Sequence, residues 1–133
     1  MIRNILATLA GLVAGNVLNF ALVMLNSSVL FPMPPGVDFN NQAGFAEYIR
    51  TLPVAAFLVV LAAHSAQAAG GTWLASRFAH TRGPVPAIVI GGLTALGSGL
   101  NMLSLPAPAW MWVDVPLNLL CAYGAWQLAL KSR

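Results

Sequence analysis

One acid lies inside a long apolar run: Asp114, in the stretch AWMWVDVPLN from Ala109 to Asn118. Trp110 and Trp112 precede it, Pro116 follows, and Asn118 stands one helical turn further on. An ionised carboxylate in hydrocarbon is costly, so this one must face protein or water and have a partner. His64, in a second apolar segment, can share or take its proton. Asn19, Ser98 and Asn118 add neutral donors and acceptors. Such a set suits the binding of a proton, an ion or a small polar solute inside a membrane. No H-E-x-x-H, no second acid in an apolar segment and no Gly-rich phosphate loop occurs. No catalytic residue, metal or cofactor is therefore expected.

The elements that must position these five residues are apolar helices. The chain has 133 residues, 59% hydrophobic and only 7% charged. Soluble domains carry about a quarter charged residues, so a membrane is the natural solvent here. The length suits one transmembrane domain, residues 1–133. The net charge of +3 comes from basic residues scattered singly between apolar runs. That pattern speaks of topology and excludes a nucleic-acid partner. Cys121 is the lone cysteine. It excludes an intramolecular disulfide and a C-x-x-C pair, and reads as an inert packing residue.

Four spans are expected, at about 2–30, 52–78, 85–105 and 109–130. The first is longer than the ~7–15 residue apolar core of a signal peptide. It also lacks a small-x-small cleavage site before Pro32, so it reads as a retained helix. Its Asn4, Thr8, Gly11, Gly15, Asn19 and Asn26 share one face. Gly11 and Gly15 form a G-x-x-x-G pair that lets another helix come close. Asn16 lies off that face.

The proline-rich FPMPPG, Phe31 to Gly36, ends the first span. Asp38, Asn40 and Asn41 then offer helix caps. Phe45, Tyr48, Ile49 and Leu52 follow at i, i+3, i+4 and i+7, with Gln42, Glu47 and Arg50 among them. This is the pattern of a short amphipathic helix lying on the bilayer surface. An ordered polar loop fits the same residues. The second span begins with Pro53 in its first turn and carries His64, Gln67, Ala68, Gly71 and Ala75 on one face, with Ala62, Ala66 and Gly70 as a second row. In the third, Gly91, Thr94, Ala95, Ser98 and Asn101 share a face. In the fourth, Asp114, Asn118, Cys121 and Ala125 do. Helix packing is therefore assigned to Gly11, Gly15, Gly71, Gly91 and Ala95.

Arg3, Arg77, Arg82, Lys131 and Arg133 fall on one side of this plan, and only Arg50 on the other. The bias places both termini in the cytoplasm. Trp110 and Trp112 then sit near the outer interface, and Trp73 and Trp126 near the inner one, as aromatic belts require. At about 1.5 Å per residue, Asp114 lies roughly 8 Å below the outer ends and Ser98 roughly 10 Å. Asn118 comes at roughly 13 Å, and His64 and Asn19 at roughly 13–17 Å. All five thus fall in the outer half or near the midplane and can meet in one cluster. Pro116, in mid-helix, removes one backbone hydrogen bond and frees the Trp112 carbonyl beside the acid. That suits a cavity, and equally a plain irregularity.

The opening MIRNILATLAGLVAG, the PMPPG and the FAEYIRTLP that follows, on a four-span plan, resemble a group of small uncharacterised bacterial inner-membrane proteins. The resemblance implies a four-helix fold in a bacterial inner membrane. It brings no activity, cofactor or catalytic residue.

Three functions are weighed. The first is a transporter or channel for a small solute or ion through the polar site. The second is an accessory or assembly subunit that docks helices of another membrane protein through its small-residue faces. Under that reading the asparagines, serine and histidine serve as interhelical glue. An intramembrane enzyme ranks last, for want of a nucleophile–base pair. Expected partners are membrane lipids and either further copies of the chain or a larger membrane complex.

Overall fold

The computed structural model describes residues 1–132, and every regular element in them is helical. Arg133, counted above among the basic residues of one side, lies outside the described residues. Helix α1 covers Ile2–Leu25 and widens into a π turn over Asn26–Leu30. The Phe31 N–H closes that wide turn by donating to the Asn26 carbonyl at 2.8 Å. Pro32, lacking an N–H, follows it. A short helix α2 spans Gln42–Thr51, α3 spans Val54–Phe78 and α4 spans Val85–Ser104. A 3₁₀ turn over Ala109–Val113 then leads into α5, Asp114–Lys131.

Among the described residues, three helices are long and apolar enough to cross a membrane: Ile2–Leu30, Val54–Phe78 and Val85–Ser104. These are the first three expected spans. Helix α5 does not join them, because its 18 residues include Asp114, Pro116, Asn118, Gln127 and Lys131.

One alternative is decided and two local expectations are corrected. Residues 42–51 form the helix of the two alternatives, with the Asn41 side chain accepting the Gly44 N–H at 3.1 Å as its N-cap. Asp38 instead turns the chain ahead of it, accepting the N–H groups of Asn40 and Asn41. The second long helix starts at Val54, with Pro53 ahead of it and not in its first turn. A proline holds the preceding residue extended, and Leu52 has ψ of 137°, so α2 and α3 stay separate. The run from Ala109 is a single α-helix only from Asp114 onward. Pro116 consequently lies in the first turn of α5, where a missing N–H costs little. The expected mid-helix disruption there is not required.

Helix α3 is the centre, packed against α1, α4 and α5, while α4 also packs on α5. Small residues permit this. A Cβ on Gly11 would come 2.4 Å from the Gly71 carbonyl oxygen, and one on Gly71 would come 2.6 Å from that of Gly11. A Cβ on Gly15 would meet the Gln67 carbonyl oxygen at 2.7 Å. Between α4 and α5, a Cβ on Gly91 would lie 2.7 Å from the Ala122 Cβ. Ala95 is buried on the same face of α4. Ala63, Ala68, Ala75 and Ala129 have no exposed surface, whereas Leu9, Val13, Phe20, Leu58, Leu96 and Leu120 point outward. Of the second small row on α3, Ala62 is exposed. A small-residue interior under a large apolar exterior is the arrangement of a protein dissolved in lipid.

The two ends differ. At one, the Arg3 guanidinium donates to the Phe78 carbonyl at 2.9 Å, and Asn4 bonds Thr81 and the His80 N–H. Arg77 reaches the Ser132 carbonyl there, and the Trp126 indole donates to the Arg82 carbonyl at 3.1 Å. At the other end α2 folds onto the bundle. Tyr48 and Ile49 are buried with Phe57 and Met111, and Glu47 and Arg50 stay exposed in an ion pair at 3.2 Å. The Tyr48 hydroxyl donates to the Phe31 carbonyl.

Candidate functional site

Asp114 is 2% exposed and Asn118 fully buried, although both are strongly polar. They lie one turn apart on α5, and the Asn118 amide donates to Asp114 Oδ1 at 3.2 Å. The same amide donates to Ser98 Oγ on α4 at 2.9 Å. His64, on α3, brings its Nδ1 into hydrogen-bond contact with Asp114 Oδ2. Ser98 Oγ also lies 3.3 Å from that Nδ1. Four of the five candidate residues, from three helices, therefore form one connected network.

The local reasons can be read off each element. Asp114 is the first residue of α5, directly continuing the 3₁₀ turn that ends at Val113. A periodic step of four places Asn118 beneath it. Ser98 lies on the buried face of α4 with Ile90, Gly91, Thr94 and Ala95. One proton must sit between Nδ1 and Oδ2 for that contact to be a hydrogen bond. Asn118 Oδ1 remains buried without a partner.

Asn19 stays apart. Its Oδ1 is buried without a hydrogen bond, and α1 contributes nothing to the network. Asn19 instead lines a groove of about 290 Å³ with Asn16, Gln67, His64, Ser98 and Asn101, between α1, α3 and α4. The looseness of the α1–α4 contact leaves that space. Asn16 faces Gln67 across it, with their amides 3.4 Å apart.

On the other side of His64 lies a second cavity, also about 290 Å³. Its walls are mainly apolar: Phe39, Phe45, Tyr48 and Phe57 supply rings, and Ile49, Met102 and Met111 fill between. His64, Ser98 and Asp114, with Asn26, Ser27 and Asn101, form its polar part. His64, Ser98 and Asn101 line both spaces and so mark their boundary. The aromatic wall was not singled out as a site from the sequence. The spacing of Phe45 and Tyr48 signals a buried face, but only the fold of α2 onto the bundle turns that face toward Asp114.

Among the described residues, no three histidine, cysteine, aspartate or glutamate side chains come together as metal ligands. His64 and Asp114 are a pair, and Cys121 is a free thiol, partly buried on α5. The arrangement can hold and pass a proton, and can seat a small molecule against a buried acid. No family model matches the sequence, and neither does any curated protein or solved structure.

Proposed function

We propose that the chain is a small multi-pass membrane protein that carries a small solute or ion through an intramembrane polar site at Asp114 and His64. One observation carries this reading. His64, bonded to the buried Asp114 of the α2-end cavity, stands at the boundary between that cavity and a lower one between α1, α3 and α4. A group placed between two spaces can exchange with each in turn. A residue serving only as helix glue has no need of either.

The reading takes the fold to be a four-helix membrane bundle with α5 as the fourth span. Its 18 residues rise about 27 Å and the five of the 3₁₀ turn about 10 Å more. That is enough to cross a hydrocarbon core of about 30 Å. Helix α2 lies at the outer surface, and both termini are cytoplasmic, following the basic residues gathered at the opposite end. The reading takes that membrane to be a bacterial inner membrane, on the resemblance of the opening and PMPPG segments. Lipid surrounds it, alone or with further copies.

The test is flux in liposomes. Purified protein, reconstituted with an imposed pH gradient, is expected to move protons, an ion or a small solute, and Asp114→Asn is expected to stop it. The transport reading fails if the parent moves nothing across a broad panel, or if the Asn variant equals the parent at every pH. One feature favours the second reading, an accessory subunit. Asn16 and Asn101 are exposed in the α1–α4 groove, where a partner helix would give them hydrogen bonds. A stoichiometric partner co-purifying from native membrane supports that reading.

A further inference from the structure

We propose that the cavity above Asp114 binds a monovalent organic cation with an apolar or aromatic body. Its charge would lie at the His64–Asp114 pair and its body against Phe39, Phe45, Tyr48 and Phe57. This names the ligand class of the site just described, and rests on that reading of Asp114 as a working residue.

Three features of the cavity lead there. Its volume of about 290 Å³ is that of a small-molecule site, and its walls are mostly apolar. A hydrated inorganic ion would gain nothing from four aromatic rings. The lining includes one acid, Asp114, and neither lysine nor arginine, so it offers an anion no fixed positive charge. Aromatic faces are electronegative, and together with a buried carboxylate they attract an organic cation.

The charge balance is one to one. A carboxylate with a neutral imidazole carries one negative charge, which one cation cancels. A proton taken up by the pair cancels it too, so proton and cation compete. The other polar groups of the site and lining are neutral: Ser98 and Asn101 from α4, Asn118 from α5, and Asn26 and Ser27 from the π turn. Tyr48 is the remaining titratable group of the lining, contributed by α2. Glu47 and Arg50 are exposed on that helix and paired with each other.

The probe is radiolabelled benzyltrimethylammonium, a permanent cation with one ring, bound to the full chain in lipid nanodiscs. Saturable binding at one site per chain is expected, weakening as pH falls. The neutral isostere neopentylbenzene, with carbon in place of nitrogen, should not compete. Asp114→Asn should weaken binding at least about tenfold, the loss of one good charge contact. Should that variant fold poorly, Phe45→Leu keeps an apolar wall without the ring and should weaken binding about two- to fivefold. No saturable binding, equal competition by the neutral isostere, or full binding by both variants overturns the proposal. Binding without flux leaves the cation site standing and removes transport. Flux of another solute without probe binding does the reverse.

Discussion

Asp114 is held by two hydrogen-bond partners, His64 and Asn118, so its replacement separates charge from shape. Asp114→Asn keeps the size and most of the contacts, and is expected to fold with a thermal midpoint near that of the parent. Asp114→Leu deletes the acceptors and leaves the Asn118 amide and His64 short of partners. It should lower stability by about 1–3 kcal/mol, read from thermal unfolding in detergent. Equal midpoints for parent and Leu variant would mean that the network contributes nothing to the fold. Tyr48 tests the other side of the cavity. Burial raises its pKa above the ordinary 10.0. An acid whose folded value is raised adds stability below its unfolded value, and loses it as pH rises beyond that. Stability should therefore fall above pH 10.0, and Tyr48→Phe should flatten that fall. The comparison needs only melting curves at several alkaline pH values.

At the scale of elements, the helices meet through glycine. The faces of Gly11, Gly15, Gly71, Gly91 and Ala95 are legible as small-residue rows before any fold is known, because helical periodicity is a property of the sequence. What periodicity omits is the pairing. Gly11 meets Gly71 backbone to backbone, and Gly91 meets Ala122. Changing Gly11 and Gly15 together to Leu should cost stability by overpacking, about 1–3 kcal/mol per site. The same holds for Gly91 with Ala95. Gly92→Ala is the control, since a Cβ there meets nothing within 4 Å. It should leave the melting midpoint unchanged or raise it slightly, through helix propensity. If the Leu pairs melt like the control, these faces do not hold the bundle together.

For the whole molecule, the open question is which way it sits. Arg3, Arg77 and Arg82 gather at one end, joined by hydrogen bonds among the first turn of α1, the turn at residues 78–82 and the last residues of α5. A reporter fused at Arg82 or after Lys131 should be cytoplasmic, and one inserted within residues 40–44 should be external. A reversal would place the aromatic cavity on the cytoplasmic side, while leaving the His64–Asp114 contact untouched. A cytoplasmic reporter at both places would mean that α3 does not return across the membrane as proposed.

Composition and periodicity by themselves pointed to a membrane as solvent, to three of the four expected spans and to the acid that must be buried. Those follow from local chemistry: apolar runs of sufficient length, breaks at Pro32, Pro84 and Pro106, and a charge too costly to leave in lipid. Depth counting also put Asp114, His64, Ser98 and Asn118 at similar levels, because helical rise is nearly constant. Only the tertiary structure decided that those four touch and that Asn19 does not. Rise fixes height but not rotation, and α1 is turned so that Asn19 lines the groove beside Gln67 rather than meeting the acid. The cavity too depended on the fold. Phe45, Tyr48 and Phe57 belong to two helices separated by Pro53, and they surround one space because α2 folds back and buries Tyr48 and Ile49 against Phe57 and Met111. The contact with Met111 joins segments distant in the chain, which no local pattern encodes.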